Sequence, residues 1–201
     1  MIPVMSLKNI EDNCRYLYGN DEKRIVGVVI ARYDINDVKN MISEQFDFWH
    51  AYSGRDFNVF WLGYGAYTSP TRPGQRKVDY ITSIPSVIFD VNEFAAGIHL
   101  LEKRVHYHYR DGFGIFLCNF HDGEIHFDES MYFDLTRLLG EQSYKYRVLV
   151  SDIVFQCTQY DDVTKIAVNL IQKSKYEHGL HTKEITLFGI NDVVNELLKN
   201  L

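Results

Sequence analysis

The chain has 201 residues, 46% hydrophobic and 24% charged, with 14 Tyr and 13 Phe. That is an ordinary globular composition with enough aromatic mass for a sizeable core. The net charge of −6 argues against a general nucleic-acid coat, and no stretch approaches the roughly 20 apolar residues of a membrane helix. Cys14, Cys118 and Cys157 are widely spaced with no CxxC, which fits reduced, buried thiols in a cytoplasm better than a disulfide framework. Met1 to Gly19 lacks the basic start and long apolar core of a signal peptide.

Leu7, Ile10, Cys14 and Leu17 fall at helical spacing after Ser6, a suitable N-cap. Ile25 to Ala31 is a near-continuous apolar, β-branched run, which predicts a central strand buried on both faces. Ile35, Val38, Ile42, Phe46 and Trp49 predict a helix opened by Asp34 and ending near Ser53-Gly54. Phe57 to Leu62 predicts a second buried strand. It breaks at Gly63-Tyr64-Gly65 into a loop reaching Lys77, with two prolines and the cations Arg72, Arg76 and Lys77. Val87 to Phe89 predicts a short strand, and Asp90 opens a helix bearing Phe94, Ile98 and Leu101.

Phe113 to Phe120 and Glu124 to Phe127 flank Asp122-Gly123, a strong hairpin signal. A helix is expected from Asp134, and Val148 to Gln156 reads as helix. Val163, Ile166, Ala167, Leu170 and Ile171 form an amphipathic face. Ile185 to Phe188 reads as a last strand, followed by a helix through Val193, Val194, Leu197, Leu198 and Leu201. That last apolar stripe packs on the sheet or docks a second copy.

One pattern recurs at Tyr33-Asp34-Ile35-Asn36-Asp37-Val38, Phe89-Asp90-Val91-Asn92-Glu93-Phe94 and Phe188-Gly189-Ile190-Asn191-Asp192-Val193, more loosely at Phe133 to Leu138. The Asp or Gly is placed to cap a helix, and the aromatic before it to staple onto the apolar residue five places on. Uneven spacing rules out a solenoid. The pattern marks strand-to-helix junctions, hence an α/β fold.

The expected architecture is a single domain, 1–201. An α/β core spans 21–140, with a mixed sheet and helices on both faces. A mainly helical extension covers 141–201, with a short strand near 185–188. Over about residues 24 to 140 the element order, β-α-β-β-α-β-β-α after an N-terminal helix, resembles the thioredoxin-like topology. The redox motif of that family is missing, and Tyr33-Asp34-Ile35-Asn36 stands where it would sit. The resemblance therefore implies fold alone, without redox chemistry and without a cofactor.

Three groups of residues carry the functional expectations. Ligands of open α/β sheets collect beyond the carboxyl ends of strands. That points to Arg32, Tyr33, Tyr64, Tyr67, Arg72, Arg76 and Lys77 as a ligand or partner surface. Arg and exposed Tyr are enriched at protein interfaces, while free helix-start amides with arginines would suit a nucleotide or acidic small molecule. A surface loop kept soluble by its cations is the plainer reading. Secondly, a regular hairpin pairs His121 with Glu124, Asn119 with His126 and Leu117 with Asp128, so the histidines and Glu124 share a face. Thirdly, His106 and His108 would share a face if extended. Together His106, His108, His121, Glu124 and His126 form a possible metal-hydrolase or phosphoesterase set, though each group is also what an exposed hairpin or polar connector looks like. No GxSxG elbow, Walker sequence or GxGxxG is present. The leading expectation is a non-enzymatic module that binds a protein partner or self-associates.

Overall fold

A computed structural model describes residues 2–3, 6–52, 54, 57–79, 81 and 84–199. Ser53 and Leu201, at the ends of two expected helices, lie outside them.

The elements run β1 (Ile2–Pro3), α1 (Leu7–Tyr18), β2 (Arg24–Ala31), α2 (Asn36–Tyr52), β3 (Asn58–Trp61), β4 (Tyr64–Ala66), β5 (Gln75–Lys77), β6 (Val87–Asp90), α3 (Val91–Val105), β7 (Phe113–His121), β8 (Glu124–Asp134), α4 (Thr136–Glu141), α5 (Ser143–Gln159), α6 (Val163–Lys173), β9 (Ile185–Phe188) and α7 (Asn191–Lys199). A π-helical turn, Ser174–His178, continues α6. The main sheet has the order β1-β3-β2-β7-β8-β9. β1, β3 and β2 are parallel, and β7, β8 and β9 add antiparallel.

β2 is central, and Ile25 to Ala31 are all buried. An unbroken apolar strand needs cover on both faces, and it has it. Val26 pairs with Cys118 and Val28 with Phe116. On that face Tyr18 of α1 meets Phe120 with ring centroids 5.9 Å apart, and Tyr107, just beyond α3, meets Phe116 at 5.0 Å. On the other face Phe46 of α2 packs on Trp61 at 4.8 Å, and Trp61 packs on Phe113 at 5.6 Å. The amide of Val163, at the start of α6, reaches that same face to donate to Asn119 Oδ1 over 2.8 Å. Cys14, Cys118 and Cys157 are buried free thiols, and burial raises each above its ordinary range.

Two expectations about topology change. β6 does not join the main sheet. It is the middle strand of a separate antiparallel sheet, β4-β6-β5, whose outer strands come from the stretch read as a loop. The cause is the turn at Leu62-Gly63. Gly63 has φ +81°, and a Cβ there would lie 2.8 Å from that of Phe94. The chain can therefore swing off β3 only with glycine at this position.

The helix-start pattern marks helix starts throughout but keeps its expected roles only at α3. Asp90 caps α3, accepting from the amides of Asn92 at 3.0 Å and Glu93 at 3.2 Å. Phe89 staples onto Phe94, with centroids 5.6 Å apart. At α2 the carbonyl of Ile35 starts the helix and Asp34 lies one residue earlier. At α7 the same shift puts Ile190, not Gly189, at the cap. Asp134 reaches the amide of Thr136 from one residue before the cap, Leu135. In α7, Val194 is buried whereas Val193 and Leu197 are exposed. Among the described residues no helix is long and apolar enough to cross a membrane.

Candidate functional site

The surface beyond the carboxyl end of β2 is built by pairing. Arg32 donates from Nε to Asp34 Oδ1 at 2.9 Å and from Nη2 to Oδ2 at 2.6 Å. That double hydrogen bond keeps the Asp34 carboxyl below its ordinary range. It also takes the side chain expected to cap α2. The Arg32 amide donates to Tyr109 Oη at 3.2 Å, and Tyr109 donates to the carbonyl of Gly112 at 2.9 Å.

Two of the expected surface aromatics are structural instead. Tyr64 is fully buried, and its hydroxyl donates to the Ala31 carbonyl at 2.9 Å, tying β4 to the end of β2. Burial pushes its phenol well above the ordinary range. Tyr33 is buried too, and its hydroxyl accepts from the amide of Asp79 at 2.9 Å. The expected surface role fails because Tyr64 packs on Phe46, Trp61 and Phe89 and Tyr33 is held against the chain at Asp79. Tyr67 is the exposed one, at 74% and with φ +58°.

Arg72 is likewise engaged. It donates from Nε to Asp90 Oδ2 at 2.9 Å and from Nη2 to Glu93 Oε1 at 2.9 Å. Asp90 is buried, which opposes its ionisation, but the hydrogen bonds from Gln75, the Glu93 amide and Arg72 prevail and lower its pKa. The helix-start amides at α3 are therefore already satisfied by a resident carboxylate. Arg76 and Lys77 stand exposed on β5, and the charge of Arg76 also favours ionised Asp34.

Between this strand end and the flank of α3 lies a groove of about 220 Å³, lined by Arg32, Phe94, Ala95, Ile98, Glu102 and Tyr109 among others. Sequence reasoning reached Arg32 alone of these. The rest come from α3 and the connector behind it, where Phe94 and Ile98 read as core and Ala95, Glu102 and Tyr109 carried no functional signal. Neither a protein family, nor a curated protein, nor a solved structure matches the chain.

The five residues of the expected metal set do not meet. His106 ends α3 in the left-handed conformation, φ +55°, so it does not share an extended strand with His108. Both line a cleft of about 180 Å³ with Tyr132 and Asp134, and Asp134 pairs with Gly114 at the start of β7. His121 stands at the other end of β7, whose 9 residues span on the order of 27 Å.

At that far end a tighter group forms. Asp122 and Gly123, with φ +52° and +74°, make the expected two-residue turn. His121 faces Glu124 and Asn119 faces His126, as expected. The pairing then jumps, with Cys118 opposite Ser130, so Phe127, Asp128 and Glu129 bulge out of the ladder. A regular ladder would put Glu129 opposite Phe116, on the other face. The bulge reverses that parity. The bulge rests on Gly189, where a Cβ would lie 1.9 Å from the Asp128 carbonyl oxygen, and the Ser130 hydroxyl donates to the carbonyl of Phe127 at 2.5 Å.

Glu129 thereby replaces Glu124 beside the histidines. His121 and His126 stack with centroids 3.8 Å apart and planes 6° apart. His121 Nδ1 lies 2.9 Å from Asp122 Oδ2, and Nε2 lies 3.3 Å from Glu129 Oε2. The hydrogen bond with Asp122 raises the His121 pKa. Asn119 Nδ2 donates to Glu129 Oε2 at 3.0 Å and is the first cause of that carboxyl's lowered pKa.

A second histidine–carboxylate group, which sequence reasoning did not find, lies where α6 passes into the π-helical turn. His178 is fully buried with Nε2 2.8 Å from Asp152 Oδ2, and Lys173 Nζ lies 3.1 Å from the same oxygen and 3.7 Å from Glu177 Oε2.

Proposed function

We propose that the chain is a non-redox α/β binding module, thioredoxin-like in element order, that takes a protein partner at the groove beyond the carboxyl end of β2. The observation that carries this is the groove itself. It stands where open α/β sheets place their ligands, lined by buried Phe94 and Ile98 and by half-buried Arg32 and Glu102. Small-molecule sites run to roughly 300–1,000 Å³, and 220 Å³ is nearer the room needed by one large side chain. Arg32 and Arg72 are held by Asp34, Asp90 and Glu93, which favours a side-chain anchor over a nucleotide or an acidic small molecule. Arg32 and Glu102 together suit a partner segment in which a branched or aromatic residue is flanked by charges of both signs. The buried, separated thiols support the non-redox reading.

Selection from a displayed random-peptide library tests it. Ala95 is exposed on the groove wall, so Ala95→Arg fills the groove with a residue that helices tolerate well. The wild type is expected to enrich peptides with a shared large apolar anchor, and the variant to lose them. Equal enrichment of the same peptides on both proteins overturns the proposal.

A further inference from the structure

We propose that His121, His126 and Glu129 form a binding site for a divalent transition-metal ion, with Zn²⁺ as its probe. This inference is independent of the groove, which lies at the opposite end of β2. Imidazole nitrogen and carboxylate oxygen are the donor types zinc takes in three-ligand sites, which keep a further position for water.

The donor atoms of these three residues all lie within 4.8 Å of one another. Donors 2.0–2.2 Å from one ion sit about 3.4 Å apart in a tetrahedral arrangement, and His121 Nε2 and Glu129 Oε2 are already at 3.3 Å. Closure asks for a turn of the His126 ring out of the stack, a movement on the order of 1 Å on that geometry. His126 Nε2 is shut off from solvent with no hydrogen-bond partner. A buried ring nitrogen without a partner is costly, and a metal ion would take up its lone pair.

The surroundings repeat the pattern of histidine metal ligands, whose second nitrogen faces a carboxylate. His121 Nδ1 has Asp122 at 2.9 Å, and His126 Nδ1 has Asp128 at 3.8 Å. Asn119 holds Glu129 in place and is itself fixed by the Val163 amide. Among the described residues, Asp122, Asp128 and Glu129 form ion pairs with these histidines and with no lysine or arginine. The negative charge at this hairpin end is thus open to a cation.

Titration calorimetry with Zn²⁺, checked by metal analysis after dialysis, tests the site. The wild-type chain is expected to take up one equivalent saturably. His126→Ala and Glu129→Gln are each expected to weaken binding roughly tenfold or more, the scale on which even supporting residues act. The double variant His106→Ala, His108→Ala is expected to bind as the wild type does. Mg²⁺, which prefers all-oxygen sites, is expected to give no heat of binding. Absence of saturable Zn²⁺ binding by the wild type overturns the proposal, and so does binding that survives Glu129→Gln unchanged or depends on His106 and His108. Circular dichroism checks that His126→Ala folds. If it does not, Glu129→Gln decides, because it keeps the shape of a partly exposed side chain.

Discussion

Two groups of histidine and carboxylate stand in this fold, and they differ in what occupies the space between the carboxylates. At the π-helical turn, Lys173 reaches Asp152 and Glu177, and His178 closes the group from the buried side. Burial opposes ionisation of Asp152, but hydrogen bonds from His178 and Lys173 outweigh it and lower its pKa. That group carries its own cation and reads as a structural clamp joining α5 to the end of α6. At the β7–β8 turn Arg15 is engaged by the Gly123 carbonyl, at 2.6 Å, and by Asp12, and among the described residues Asp122, Asp128 and Glu129 form ion pairs with the two histidines and with no lysine or arginine. The same residue types therefore give an ion-pair network closed by a lysine in one place and a group that pairs only with histidines in the other.

The hairpin-end group depends most on Gly189. A methyl group there would meet the Asp128 carbonyl oxygen at 1.9 Å, at a backbone φ of +71°. Gly189→Ala is expected to cost about 3 kcal/mol, combining left-handed strain with overpacking, as read by urea denaturation. By displacing the bulge it is also expected to remove Zn²⁺ binding.

At the closed group, Asp152→Ala leaves His178 Nε2 buried without its partner, with an expected loss of about 2 kcal/mol. Zn²⁺ uptake should stay as in the wild type, and a large drop would move the metal site to this group.

A smaller effect follows from acidity. The Asp152 pKa is lowered in the folded state, so its ionised form stabilises the fold above the unfolded carboxylate value of about 3.9. That contribution is lost as pH falls through the lower folded value. The stability gap between the wild type and Asp152→Asn is therefore expected to be constant near neutrality and to narrow below pH ~4. A gap that widens in acid would mean that the folded state raises the Asp152 pKa instead of lowering it. Smallest is Glu129→Gln. Without metal it is expected to change stability by no more than about 0.5 kcal/mol, as for most surface substitutions, and with Zn²⁺ present it should forfeit the thermal shift that binding gives the wild type.

Much of the architecture was legible in the residues. Ile25 to Ala31 reads as a doubly covered strand because nothing polar interrupts it, and β2 is one. Asp122-Gly123 reads as a tight turn because that type needs two residues at positive φ, and both have it. Val163 to Ile171 reads as a helix with one apolar face, and α6 buries it. Tyr64 misled, because an aromatic between two glycines looks like loop surface until β4 pairs with β6 and its ring packs on Phe46, Trp61 and Phe89. Arg72 looked free because its partners, Asp90 and Glu93, are brought beside it by that same small sheet.

Local sequence by itself determined the main strands, the helices and the Asp122-Gly123 turn, but not β4 and β5, since periodicity, caps and φ preferences act over a few residues. Tertiary structure decided which functional groups meet. Glu129 reaches the histidines because a bulge reverses the facing of β8, and the run Asp128-Glu129-Ser130 is the only local trace of it. Lys173 closes the other group because α6 runs beside α5. Both outcomes depend on contacts between distant segments, such as the Asp128 carbonyl against Gly189, and facing flips whole when the register moves by an odd number of residues.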